Sequence, residues 1–149
     1  MGKTLVAYFS ASGTTRRRAE EFQKLLDADL YEIKPAKPYT TAELDWTNPK
    51  SRSSVEMKDP ASRPELAESA PDLSAYDAVY IGFPIWWYTA PHIINSFLES
   101  GDFSGKKIAL FSTSGGTGIQ GAADDLKKQY PNLTFAAAKS VNRGVEELL

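Results

Sequence analysis

Residues 4–15 read TLVAYFSASGTT, an apolar run that breaks into a cluster of hydroxyls around one glycine. The first half, residues 4–9, lacks polar alternation, as expected of a strand covered on both faces in a parallel sheet. In the second half Ser10, Ala11, Ser12, Gly13, Thr14 and Thr15 are mostly small. Small residues let successive backbone N–H groups turn toward one point, and Gly13 is free to take a positive φ. A helical stripe of Ala19, Phe22, Leu25 and Leu26 follows. Strand, small-residue turn and helix together open a βα unit. Such a turn at a helix N-terminus holds a phosphate through charge-assisted hydrogen bonds of roughly 1.5–3 kcal/mol each. An ordinary Ser/Thr helix cap has the same look in isolation.

The rest of the chain continues the alternation. Residues 78–83 (AVYIGF), 107–113 (KIALFST) and 133–138 (LTFAAA) read as further strands buried on both faces. Residues 29–34 (DLYEIK) alternate, with Tyr31 and Ile33 on one side and Leu30 and Glu32 on the other, and suit an edge strand. Ala90, Ile93, Ile94, Phe97 and Leu98 form a second helical stripe, with Thr89 as its expected N-cap, Pro91 in its first turn and Gly101 near its end. Ile119, Ala122, Ala123, Leu126 and Tyr130 form a third, stopped by Pro131. Strands alternating with helices predict a parallel α/β sheet with right-handed crossovers.

The interval 35–72 departs from this rhythm. It holds six of the nine prolines, and only short helical pieces fit it, near 40–46 and 48–58. Thr40 and Glu43 have capping-box spacing, and Asn48 followed by Pro49 resembles a helix start. It reads as a long irregular crossover, so that residues 1–149 make one domain. Residues 145–149 begin what should be a helix over one sheet face, and five residues are too few to cover it.

Ligands of open parallel sheets bind beyond the carboxyl ends of the strands, where neighbouring crossovers diverge. Besides the turn at 10–15, two loops belong to that edge. Pro84, Ile85, Trp86, Trp87, Tyr88, Thr89, Ala90 and Pro91 place three large aromatics at a strand end. Adjacent tryptophans in an extended loop project to opposite sides, so one can anchor in the core while the other faces a planar ligand. Each stack is worth roughly 0.5–1.5 kcal/mol beyond burial. An aromatic plug or protein interface is the alternative. Thr113 is followed by Ser114, Gly115, Gly116, Thr117 and Gly118, whose backbone can approach a flat ligand edge closely. A flexible connection would read alike. Arg16, Arg17 and Arg18 oppose the helix dipole; they fit a solvated face or a contact with an acidic partner.

Composition removes several chemistries. With no cysteine and one histidine, thiolate nucleophiles, disulfides, iron–sulfur clusters and cysteine-ligated zinc are impossible, so any redox chemistry must come from a bound cofactor. His92 has no nucleophile beside it in sequence and reads as solvent-facing rather than catalytic. No catalytic acid or base stands out. A net charge of −2 argues against nucleic-acid binding, and no apolar run is long enough to span a bilayer. The N-terminus lacks signal-peptide features, and Val6 stands where myristoylation wants Ser or Thr. A cytoplasmic monomer is the expectation. Lys3 and Thr4 after Gly2 echo the tail of a P-loop without its leading glycine.

Taken together, the turn at 10–15, the aromatic loop at 84–91 and the glycine loop at 114–118 resemble the flavodoxin family, in the form whose ring-binding loop carries paired tryptophans. The resemblance implies a flavodoxin-like three-layer α/β sandwich with a five-stranded parallel sheet of order 2-1-3-4-5 and FMN at the gap between first and third strands. It puts the FMN phosphate on residues 10–15 and the isoalloxazine between residues 84–88 and 114–118. Asp45 and Trp46 are candidates for a further wall. In many members a glycine beside the ring turns its peptide over to hydrogen-bond the half-reduced ring, and residues 84–91 contain no glycine. A phosphatase of this fold needs a cysteine; a response regulator needs acids where Ser10 and Pro84 stand. The expected function is low-potential electron transfer between transient redox partner proteins. An FMN-dependent NAD(P)H:quinone-type oxidoreductase and a non-redox phosphate-ligand module are the alternatives. The flavin would do the chemistry, and the protein would set its potential by binding the redox states unequally, roughly 59 mV for each 1.4 kcal/mol. Aromatic faces disfavour the anionic reduced ring.

Overall fold

The structure, a computed structural model, describes residues 3–10, 13–68, 71–87, 89–113 and 118–141. Five strands, β1 (Lys3–Tyr8), β2 (Asp29–Glu32), β3 (Tyr76–Pro84), β4 (Lys107–Thr113) and β5 (Thr134–Ser140), pair only in parallel, in the order β2-β1-β3-β4-β5. Between them run α1 (Thr14–Leu26), α2 (Arg52–Lys58), α3 (His92–Ser100) and α4 (Gln120–Gln129). This is the flavodoxin-like α/β architecture.

Each sheet face has its own core, because side chains along a strand alternate between faces. Leu5, Ala7, Val79, Ile81, Ile108 and Leu110 face α3 and α4, and meet Ile93, Phe97, Ala122 and Leu126. Val6, Tyr8 and Phe111 face the other way and meet Ala19 and Phe22 of α1. Gly82 lies opposite Phe111 in the β3–β4 register, and the ring of Phe111 occupies the space a side chain there would need: a Cβ on Gly82 would sit 2.1 Å from it.

Three expectations change. Residues 133–138 are not buried on both faces: β5 is the second edge strand, and Thr134, Ala136, Ala137 and Lys139 are exposed while Phe135 and Ala138 pack inward. Leu25 in the α1 stripe is exposed, while Leu26, four residues after Phe22, packs on the core in its place. Thr89 does not cap α3; Pro91 holds that place, and the Thr89 hydroxyl donates to Asp125 Oδ2 at 3.0 Å. Residues 142–149, including the short terminal segment, lie outside the described residues.

The crossover keeps the capping-box bonds at 40–43, with Thr40 N donating to Glu43 Oε1 (3.0 Å) and Glu43 N to Thr40 Oγ1 (3.1 Å), but they close a turn instead of starting a helix. Asn48 forms a side-chain turn with Lys50 N, and α2 starts four residues later behind Ser51, whose hydroxyl accepts from Ser54 N at 3.3 Å.

Candidate functional site

The roots of three loops meet at the carboxyl edge of the sheet. β1 and β3 are joined there by Phe9 N donating to Gly82 O at 2.9 Å. Pro84 pairs with Thr113 in register, and Ile85 N donates to the Thr113 carbonyl at 3.0 Å. The Thr113 hydroxyl in turn lies 2.8 Å from the Thr15 hydroxyl, in the first turn of α1. Thr113 therefore touches the turn at 10–15 with its side chain, the aromatic loop with its carbonyl, and the glycine loop by chain continuity.

Around the first turn, Gly13 caps α1 with φ of 95°, a left-handed geometry that suits glycine. Its N–H donates to Ser10 Oγ at 2.9 Å, closing the turn. No side chain caps this end of α1 and no acidic residue stands in its first turn, among the described residues. The leading N–H groups and the positive end of the helix dipole therefore remain available to an anion. Thr14 is exposed and Thr15 buried; Ala11 and Ser12 lie outside the described residues. Of the three arginines, Arg16 pairs with Glu20 (3.6 Å) and Arg18 with Glu21 (2.5 Å) along the helix surface.

In the aromatic loop the two tryptophans part as their adjacency requires. Trp86 turns inward, edge-on to Phe9 (centroids 5.6 Å apart) and to Tyr39 (5.4 Å). Trp87 stays 41% exposed. Trp86 N donates to Thr89 O and Thr89 N to Trp86 O (2.9 and 3.0 Å), closing a two-residue hairpin with Trp87 at φ of 49°. Hairpins this tight demand positive φ, normally supplied by Gly or Asn, so Trp87 is held in a strained geometry. Tyr88 lies outside the described residues. So do Ser114, Gly115, Gly116 and Thr117; Gly118 is described and exposed.

Tyr39 is a support that the sequence reading missed. The Arg52 guanidinium lies 3.9 Å from its ring centroid, and its hydroxyl donates to Glu56. Arg52 also pairs with Glu56 at 3.0 Å and donates to Lys37 O at 2.7 Å. Burial, and then the bond to Glu56, push the Tyr39 hydroxyl far above the ordinary tyrosine range. Nothing in the sequence ties Tyr39 to Trp86, 47 positions away, except that both are aromatic. By contrast Trp46 is 73% exposed, and Asp45 is engaged locally with the N–H and hydroxyl of Thr47. A cavity of ≈ 540 Å³ adjoins Ser10 between Phe9, Lys34 and Tyr39.

His92 is not solvent-facing as expected. It is half-buried, with Nδ1 2.6 Å from Ser62 Oγ. Ser62 donates its only hydroxyl proton to Glu56 O at 2.6 Å, so Nδ1–H must be the donor to Ser62. Burial, then the nearby Arg63 charge, hold its pKa below the usual value.

A family model described as flavodoxin matches residues 3–148. The chain belongs to the flavodoxin family. Among solved structures, this flavodoxin-family chain is 51% identical to a candidate flavoprotein from Bacteroides uniformis, covering 98% of this chain and 94% of that one, with a TM-score of 0.95. A candidate flavoprotein from Bacteroides eggerthii is 50% identical, covering 99% and 92%, also at 0.95. A flavoprotein from Lactobacillus acidophilus, solved in complex with FMN, shares the fold at 23% identity and a TM-score of 0.74, covering 94% and 93%. No curated protein matches the chain.

Proposed function

We propose that this protein binds FMN at the carboxyl edge of its sheet and carries electrons between transient redox partners. The observation that carries the reading is the meeting of the three loop roots through Thr113, which brings the small-residue turn, the aromatic loop and the start of the glycine loop to one side of the sheet. The residues present suit FMN. The uncapped first turn of α1 offers the N–H groups and hydroxyls of Thr14 and Thr15 to a phosphate, with Ser10, Ala11, Ser12 and Gly13 as the turn that would close around it. Pro84, Ile85, Trp86, Trp87 and Tyr88 would flank one side of the ring, and Ser114, Gly115, Gly116, Thr117 and Gly118 would meet its polar edge.

When bound, the flavin supplies one- and two-electron chemistry that no side chain here can. The chain's own task is to bind, orient and exclude water. Trp86, wedged against Phe9 and Tyr39, fixes the root of the aromatic loop, and Trp87 beside it is exposed. Binding energy spread unequally over redox states would set the potential, and the aromatic wall disfavours negative charge on the ring.

The test is direct. The purified protein, or the apoprotein mixed with FMN, should show a bound-flavin visible spectrum; failure to take up FMN rejects the reading. Addition of NAD(P)H and a quinone without any partner protein should give only slow turnover. Fast turnover would instead assign an NAD(P)H:quinone-type oxidoreductase.

A further inference from the structure

The bond between Thr15 and Thr113 joins residues 98 positions apart, both buried, at 2% and 5% exposure. Each hydroxyl brings one proton and two lone pairs, and either can be the donor. The bond between them consumes one of the two protons, so the fate of the other decides its direction. Thr15 stands in the first turn of α1, where the dipole and uncapped N–H groups favour an anion. An anion that accepts a hydrogen bond from the Thr15 hydroxyl leaves the Thr15 oxygen as acceptor only, and Thr113 must then donate. Donation in series from Thr113 to Thr15 to the anion is mutually reinforcing, because each bond polarises the next. Thr113 is itself fixed, last in β4, with its carbonyl engaged by Ile85 N.

We propose that Thr113 is a positioning residue for phosphate recognition: its hydroxyl orients and polarises Thr15, and so favours FMN over riboflavin, which lacks the phosphate. This rests on the FMN reading above. A purely structural role would weaken both flavins alike, since they share the ring and the ribityl chain.

Apoprotein of the wild type, Thr113→Val and Thr113→Ser is titrated with FMN and with riboflavin, following quenching of flavin fluorescence. Valine keeps the shape and removes the donor. T113V is expected to lose about tenfold in FMN affinity and less than about threefold in riboflavin affinity, and T113S to restore the wild-type ratio. Equal losses for the two flavins, unchanged FMN affinity, or a serine variant that behaves like the valine one overturns the proposal. If T113V gives no cooperative urea melt, Thr113→Ala replaces it under the same criterion. Wild type that takes up neither flavin sinks the FMN reading, and this inference with it. Wild type that takes up FMN while T113V keeps its ratio sinks this inference alone.

Discussion

Trp87 carries the local tension of the aromatic loop. An L-residue in left-handed geometry costs roughly 1–2 kcal/mol, and glycine gives back part of that through its extra freedom when unfolded. Trp87→Gly should therefore leave the urea midpoint of the apoprotein equal to or above wild type. The same change deletes an exposed aromatic face, so FMN affinity should fall about two- to tenfold. A variant that is both less stable and equally tight for FMN would contradict this account. His92 offers a second measurement, as the only histidine in the chain. Burial and Arg63 disfavour its charged form in the folded state, so its pKa lies below 6.5. Its contribution to stability is complete above about pH 6.5 and is lost as pH falls through the folded value, because the unfolded chain takes up the proton first. Proton NMR of the single imidazole should titrate below 6.5 in the native protein. The wild-type advantage over His92→Gln should shrink as pH falls below about 6.5.

At the scale of elements, β3 and β4 are locked by one glycine and one ring. With the Phe111 ring in the place of a Gly82 side chain, Gly82→Ala must displace the ring or the strand, at a cost of roughly 1–3 kcal/mol or more. Phe111→Leu in the same chain should recover part of the loss, which a double-mutant cycle in urea would read as a favourable coupling. Additive losses would show that the ring does not set the fit. The strands and helices were legible in the sequence because continuous apolar runs and 3.6-residue stripes report burial directly: every member of the stripe from Ala90 to Leu98 is buried. The errors share one cause. LTFAAA reads as interior because alanine is small and apolar, yet its exposure depends on which strand lies at the edge, and order is a tertiary property. Thr89 and His92 escape local patterns because their partners, Asp125 and Ser62, are 36 and 30 positions away. The three candidate loops were legible from composition. Their joint at Thr113 was not, since a threonine at a strand end carries no mark of what it will meet.

Over the whole molecule, the long crossover is what makes the carboxyl edge a unit. One end of it reaches the aromatic loop through Tyr39 and Trp86, while Ser62, Arg63 and Pro64 are bound to α3 by His92, Glu99 (2.9 Å) and Ser96 (2.8 Å). Glu56 serves both, with its carboxylate on Tyr39 and Arg52 and its carbonyl on Ser62. A proline-rich stretch of this length would ordinarily be an easy target for proteases. Here Lys34, Lys37 and Arg63 each precede a proline, which trypsin does not cut, leaving Lys50, Arg52 and Lys58 as cleavable positions between 34 and 68. Arg52 is ion-paired, and Lys58 Nζ donates to Pro49 O. Cleavage after these residues should wait for global opening, so that its rate in native buffer tracks the population unfolded in urea and not the exposure of the segment. Early native nicking between 50 and 58 would show that the strap is fastened only at its ends.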